Sequence, residues 1–461
     1  MKKFTVLIIF IFIFLIIYFY WERVIQIKRN IEYGNFFSNE KTDIVFIGTS
    51  MTYHAFSPMY IWDKYGVISY NRGSSGQSYK MSYYLMKDAV EYHNAKVIVF
   101  DINYLLQAKN PYPSNINDIV NMIPLHRRYN AYKEIFGKDL SIEQINIASR
   151  FHDRWKELNS YDFISLEYWK GFIGKYRYPF NIYNGEIQIK NNKVKLFDET
   201  IRYAKLFQEY ANTKDVTLIF IKIPSIDPNH GFAKAFEKLA HENNYIYFNY
   251  ENMIDKIGYD YKTDLADKNH TNYEGGKKIL DNLIPYIIKN YNIPNHKNNI
   301  AYISWNKDYI KYIRYINMQT IRSMTSFYDW KKQAFYDNYT VMISTHGDVL
   351  KKLSNTLKND LKSFGLKKYD TNKANMRYAA IIDDNKVFFE EISNKPVTYK
   401  GRMKNIVNML ISSDGKATIN VSGKPRSKNK YGLNFVIYDK VNREIVDSIW
   451  IDPNKPDEVR R

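Results

Sequence analysis

Two short stretches hold residues that could do chemistry together: Gly48-Thr-Ser50, and Asp267-Lys-Asn-His270 far downstream. They offer a nucleophile, a general base and a carboxylate to orient that base. That is the minimum set for acyl transfer through a serine ester. His270 can take the Ser50 proton, and Asp267 can hold the tautomer that this requires. Each piece also has a plainer use. Ser and Thr are good helix N-caps, and an Asp-x-x-His can be an Asx turn that opens a helix. A metal centre would need further ligands at suitable spacing, and none is evident. The chain has no cysteine, which excludes disulfides, thiolate catalysis and Cys-type zinc sites. Acyl transfer of this kind calls for no cofactor.

Such residues work only if rigid elements bring them together. Asp43-Ile-Val-Phe-Ile-Gly48 reads as a buried strand ending in Gly, so Ser50 falls just past its carboxyl end. Further strands are expected at Val67–Tyr70, Lys96–Asp101, Val216–Ile221 and Tyr245–Phe248. Helices are expected at 79–92, 198–212, 231–243 and 273–290. Strands alternating with helices predict an α/β fold: a parallel sheet with helices on both faces, in three layers. Ligands of such sheets bind at the carboxyl edge. There a following helix aims N–H groups at developing negative charge.

Asn71-Arg-Gly-Ser-Ser-Gly-Gln77 follows the second strand. Gly73 permits close backbone approach, and its N–H could steady an oxyanion. An ordinary Gly-rich turn is the alternative. It is not a phosphate loop, because the Walker Lys-Ser/Thr ending and the G-x-G-x-x-G spacing are absent.

Residues 105–195 interrupt the rhythm as a polar, mainly helical insertion, the usual form of a lid or substrate platform. Arg72 and, within the insertion, His152, Arg154 and Trp155 are candidates to line an acceptor groove, with Trp155 stacking on sugars. Surface packing and salt bridges are the alternative for each. Residues 291–335 read as a linker and an amphipathic, aromatic-rich bridge. Residues 336–455 read as a separate β-rich domain, with strands at Tyr339–Ser344, Gly432–Tyr438 and Arg443–Trp450 and a helix across 348–364.

Lys2-Lys3 precede an uncharged run from Phe4 to Trp21. Eighteen residues at 1.5 Å each span about 27 Å, close to a bilayer core. Tyr18, Tyr20 and Trp21 would lie in the interfacial belt. No small-residue cleavage site follows, so residues 1–22 are expected to be an uncleaved single-pass anchor. Residues 23–41 form a connector, and the bulk of the chain is extracytoplasmic. The formal charge of +19 comes from scattered lysines in a chain rich in Tyr, Asn and Ile. No basic run has nucleic-acid spacing, so nucleic acid is not an expected partner. A basic exterior suits anionic surface polymers or lipid head groups.

Gly48-Thr-Ser50, Asn71-x-Gly73 and Asp267-x-x-His270, in this order on such strands, resemble the SGNH/GDSL hydrolase superfamily over residues 42–290. The stretch from Gly48 to Leu105 is similar to its membrane-anchored bacterial branch, which includes the teichoic-acid D-alanylation protein DltD and alginate-acetylation proteins. The resemblance implies a flavodoxin-like sheet, with Ser50 as nucleophile, His270 as base and Asp267 as its partner. It also implies an oxyanion hole made by the Ser50 and Gly73 N–H groups. The chain departs from the pattern twice. Thr49 stands where the family usually has Asp, and the Asn of the oxyanion block has only Asn103 as a positional candidate. Residues 336–455 resemble the ILEI-type lectin-like domain, which implies a carbohydrate- or partner-binding module, beside a plain spacer as the alternative.

The resulting expectation is a membrane-anchored extracytoplasmic O-acyltransferase, moving acetyl onto a cell-surface polysaccharide beside a membrane-bound O-acyltransferase. A carbohydrate O-acetylesterase with the same triad is the second reading. A non-catalytic glycan-binding or assembly protein with a relict site is the third.

Overall fold

The computed structural model of the chain describes residues 2–25, 41–103, 119, 125–137, 146, 149, 151–158, 170–174, 194–226, 230–334, 339–403 and 406–461. Most of the expected connector and insertion lies outside these residues. The chain divides into two compact units, Met1–Tyr309 and Ile310–Arg461.

The first unit begins with α1 (Lys2–Ile25), whose Phe4–Trp21 stretch is long and apolar enough to cross a membrane. Then follow β1 (Ile44–Ile47), α2 (Ser50–Ala55), α3 (Pro58–Tyr65), β2 (Ser69–Asn71), α4 (Tyr79–His93) and β3 (Val97–Asp101). After them come α5 (Leu125–Phe136), a 3-10 helix at His152–Glu157, and α6 (Asp198–Thr213). The series ends with β4 (Thr217–Lys222), α7 (His230–Glu242), β5 (Ile246–Asn249) and α8 (Tyr273–Tyr291).

The five strands form one parallel sheet in the order β2-β1-β3-β4-β5. Every residue of β1 is buried, as expected where helices cover both faces. Ile44, Phe46, Val97, Val99, Ile219 and Ile221 share one core with Ile279, Leu280, Leu283, Ile284 and Ile287 of α8. The chain leaves β1 to pair β2 on one side, then returns to pair β3 on the other. Winding therefore reverses between β1 and β3, and a crevice opens beyond their carboxyl ends.

Two short helices after β1 escape sequence periodicity. The six residues of α2 are too few to show it. The caps of α3 are legible instead: Ser57 accepts from Tyr60 N, Pro58 opens the helix, and Gly66 closes it in the left-handed conformation. Helix α8 starts on the last turn of α2. A Cβ at Gly276 would lie 2.1 Å from the Ala55 carbonyl oxygen, so only Gly allows this approach.

The aromatic-rich stretch before the β-rich region is helical: α9 (Ile303–Ser323) and α10 (Phe327–Ala334). The second unit contains β6 (Thr340–His346), α11 (Asn355–Ser363), β7 (Arg377–Asp383), β8 (Lys386–Ser393), β9 (Val397–Met403), β10 (Ile406–Ser413), β11 (Ala417–Val421), β12 (Lys424–Pro425), β13 (Gly432–Asp439) and β14 (Glu444–Ile451). A five-stranded antiparallel sheet runs β14-β13-β6-β7-β8, and a four-stranded one runs β12-β11-β10-β9. On β6, Val341 and Ile343 join a core with Trp330, Leu357 and Leu361 of the helices. Met342 points the other way, into a core with Met409, Ile411 and Ile419 of the second sheet. The expected helix over 348–364 is a 3-10 turn at Leu350–Lys352 followed by α11.

Gly276→Ala should force α8 off α2 and destabilise the chain by about 1–3 kcal/mol. Thermal unfolding reads this directly, and an unchanged midpoint would contradict the packing described.

Candidate active site

The nucleophile turn is built by Gly48 and Thr49. A Cβ at Gly48 would lie 2.2 Å from Thr52 Oγ1 and 2.8 Å from Asp101 Cβ, so the turn closes only on Gly. Thr49 is the N-cap of α2, its Oγ1 accepting from the Met51 N–H at 3.4 Å. The cap is therefore Thr49, and Ser50, the first helical residue, keeps its hydroxyl for another partner. The Ser50 N–H has no acceptor among the described residues.

The base comes from a small closed loop before α8. Leu265 and Thr271 form an antiparallel bridge, and Ala266 N donates to His270 O at 2.8 Å. Asp267 Oδ1 accepts from the N–H groups of Asn269 (3.0 Å) and His270 (2.9 Å), an Asx turn that fixes the loop. Asn272, not Asp267, caps α8 by accepting from Gly275 N. The same Asp267 carboxylate meets His270 Nδ1 at 2.8 Å, and His270 Nε2 lies 2.8 Å from Ser50 Oγ. The structure thus brings Ser50, His270 and Asp267 into one hydrogen-bonded line. With Nδ1 donating to the carboxylate, Nε2 is left to accept the serine proton. The His270 side chain is 17% exposed and that of Asp267 40%, so the carboxylate end of the line is open to water.

A second Asp-x-x-His runs from Asp227 to His230, with residues 227–229 outside the described ones. Spacing alone does not choose between the two pairs. The contact with Ser50 does.

The Gly73 loop lies against the nucleophile turn. Arg72 N donates to Phe46 O at 2.7 Å, and Ser74 N donates to Gly48 O at 3.1 Å. The Gly73 N–H itself donates to Asn71 Oδ1 at 2.9 Å. This group, expected as an oxyanion donor, is thus engaged within its own loop. Asn103 brackets Ile223, donating from Nδ2 to the carbonyl at 3.0 Å and accepting from the N–H at 2.9 Å. It thereby ties the loop after β3 to the end of β4, which the oxyanion expectation did not include.

Several supporting residues have roles that the sequence did not assign. Asn71 is fully buried, and its Nδ2 donates to Thr52 O and Phe56 O, both at 2.9 Å. It ties the Gly73 loop to α2. Asp101 ends β3 beneath the turn, accepting from Thr52 Oγ1 at 3.2 Å and from Asn103 N at 3.0 Å. Burial pushes its carboxyl up to about 7, against the pull of the Asn103 N–H, the Lys222 charge and the Thr52 hydroxyl. Lys222, at the end of β4, pairs with buried Glu251 at 2.7 Å. A charged residue closing an otherwise apolar strand, as Asp101 and Lys222 both do, is the sequence signal that could have found them. His54 lies edge-on to His270 with ring centroids 4.8 Å apart, and its Nδ1 is held by the Ile173 carbonyl.

The four groove candidates lie in two places. Arg72 is buried against Asp88 at 3.5 Å, with side-chain exposures of 5% and 2%, so it braces the loop from within. His152, Arg154 and Trp155 sit on the 3-10 helix. Arg154 Nη1 donates to the carbonyls of Val24 (3.4 Å) and Ile25 (3.0 Å), at the end of α1. His152 Nδ1 meets Ser149 O at 2.7 Å, and Trp155 is exposed. Among the described residues no group of three or more His, Asp or Glu is placed to hold a metal ion.

No protein family and no curated protein matches the chain. Solved structures of low identity do. An inferred acylhydrolase from Bacteroides fragilis is 14% identical, with 57% of this chain and 96% of that one covered and a TM-score of 0.29. An inferred lipolytic protein of the G-D-S-L family from Desulfitobacterium hafniense is 11% identical, covering 54% and 99% with a TM-score of 0.27. A GDSL-like lipase from Bacteroides thetaiotaomicron is 13% identical, covering 54% and 88% with a TM-score of 0.26.

The raised Asp101 carboxyl has a consequence for stability. An unfolded Asp loses its proton near its ordinary 3.8, while the folded chain holds it to about 7. Between those values the folded state binds the extra proton, so stability falls as pH rises through that window. Asp101→Asn should flatten the profile there and be more stable than the parent above pH 7. Denaturant unfolding across pH checks this, and parallel profiles would contradict it.

Proposed function

We propose that the chain is a serine acyl-transfer enzyme of the SGNH type, anchored in a membrane by α1. It would pass an acyl group, acetyl first among candidates, to a hydroxyl of a cell-surface polysaccharide. The observation that carries the reading is the line from Ser50 through His270 to Asp267, with both links at 2.8 Å.

Ser50 Oγ attacks the acyl carbonyl carbon of a donor as its proton passes to His270 Nε2. The new oxyanion faces the Ser50 N–H at the first turn of α2, where helix polarity favours negative charge. His270 returns the proton to the leaving oxygen, and the acyl group stays on Ser50 as an ester. An acceptor hydroxyl then gives its proton to His270 and attacks that ester; His270 passes the proton to the departing Ser50 Oγ, and the acceptor leaves acylated. Asp267 holds the imidazole and steadies the imidazolium in both halves.

Hydrolysis is the second reading, and the 40% exposure of the Asp267 side chain favours it. Water reaching the acyl-serine would resolve it in the same geometry. The apolar helix α1 and the appended β-rich unit support transfer at a cell surface. There the donor would come from a membrane-bound O-acyltransferase, and the second unit would bind glycan or partner, as its ILEI-type resemblance implies.

The test is turnover of a chromogenic acetyl ester by the full chain, with and without a glycan acceptor. Acetyl should appear on the glycan, and Ser50→Ala should lower the rate by on the order of 10³-fold or more. Ester turnover that leaves the glycan unmodified would replace transfer by hydrolysis. Equal rates in parent and Ser50→Ala would remove the catalytic reading altogether.

His270→Ala should cost as much as Ser50→Ala, because the two act as a unit. Asp267→Ala should cost less, on the order of 10²-fold, because solvent already screens this carboxylate. Steady-state kinetics of the three variants check the ranking, and an Asp267 variant slower than the His270 variant would overturn it.

A further inference from the structure

The 3-10 helix His152–Glu157 has a task outside the triad. None of the Phe4–Trp21 stretch of α1 is buried, yet Val24 and Ile25, one turn further, are 3% and 0% exposed. Arg154 fills the end of that helix. Its guanidinium donates to the Val24 and Ile25 carbonyls, in the last described turn of the helix. A cation there also complements the negative end of the helix dipole. The same unit reaches nearly two turns lower, where Asn146 Nδ2 donates to the Tyr18 hydroxyl at 2.8 Å.

These contacts fix a height. If the apolar stretch ends at Trp21, the Val24 and Ile25 carbonyls lie about 4.5–6 Å beyond it, at 1.5 Å per residue. A bilayer's polar layer is about 5–7 Å deep on each side of its hydrocarbon core. The segment bonded to those carbonyls therefore falls within the head groups. Trp155 stands on that segment with 59% of its surface exposed. The Lys156 ammonium lies 5.8 Å from its ring centre. An amphipathic indole on display is costly in water and favoured at a membrane interface.

We propose that the His152–Glu157 helix is a lipid-contacting element, with Trp155 seated in the head-group layer of the bilayer that α1 crosses. Arg154 locks the folded unit to the anchor, and Trp155 rests it on the membrane, so the unit is not a domain swinging on a tether. The inference rests on the membrane-anchored reading above.

Because the chain has no cysteine, one introduced cysteine carries one label. Trp155→Cys, Lys156→Cys and Phe12→Cys, each in the full chain, take an environment-sensitive fluorophore. They are reconstituted in vesicles of phosphatidylcholine and phosphatidylglycerol. Quenchers carried at head-group depth, at acyl depth and in water then report position. The labels at 155 and 156 should be quenched most by the head-group probe, and the label at 12 by the acyl probe. Adding Arg154→Ala should shift the label at 155 towards the aqueous quencher. A label at 12 in the acyl core with those at 155 and 156 in water would overturn the lipid contact alone. A label at 12 in water would overturn the anchor, and the lipid contact with it.

Discussion

The 2.8 Å contact between Ser50 Oγ and His270 Nε2 joins residues 220 apart in the chain. No local propensity produces such a contact, so the fold around it must hold two loops to within a few tenths of an ångström. The reversal of winding between β1 and β3 opens the crevice. Gly48 permits the sharp turn out of β1, and Gly276 lets α8 rest on α2. The base loop, closed by its own bridge and by the Asp267 Asx turn, is set at the start of α8. Loss of either glycine approach would separate Ser50 from His270 without touching the reacting groups.

A buried polar layer lies beneath the turn. Asp101, Asn103, Asn71, Lys222 and Glu251 are each less than a tenth exposed. Burying such groups is costly unless they are paired. Their bonds tie β3 to β4 and the Gly73 loop to α2, so that cost is offset by rigidity where catalysis needs it. Arg72 belongs with this layer. Its ion pair with Asp88 makes it a brace inside the fold, which is the salt-bridge alternative that the sequence also allowed.

The parallel sheet was legible because its strands are short apolar runs closed by Gly or polar residues. The helices at 79–93, 198–213 and 273–291 showed clear periodicity. Helix α2 did not, because six residues hold under two turns. Ser50, Asp267 and His270 stood out as residue types, but Asp227 to His230 has the same spacing, and it is the contact with Ser50 that marks Asp267 and His270. Asp88 and Asp101 carried no motif, and Asn71 stood in one without its own role being legible, since all three depend on what long-range packing puts opposite them. The contact of Arg154 was hidden for the same reason: nothing in a linear chain shows that residue 154 meets residues 24 and 25.

Activation of Ser50 by His270 is the central claim, and a fluorophosphonate probe tests it most directly. Intact-mass and peptide mapping after labelling should show one adduct, on Ser50, with labelling slowed on the order of 10²-fold or more in His270→Ala. No adduct on Ser50, or equal labelling rates in the two proteins, would contradict the account.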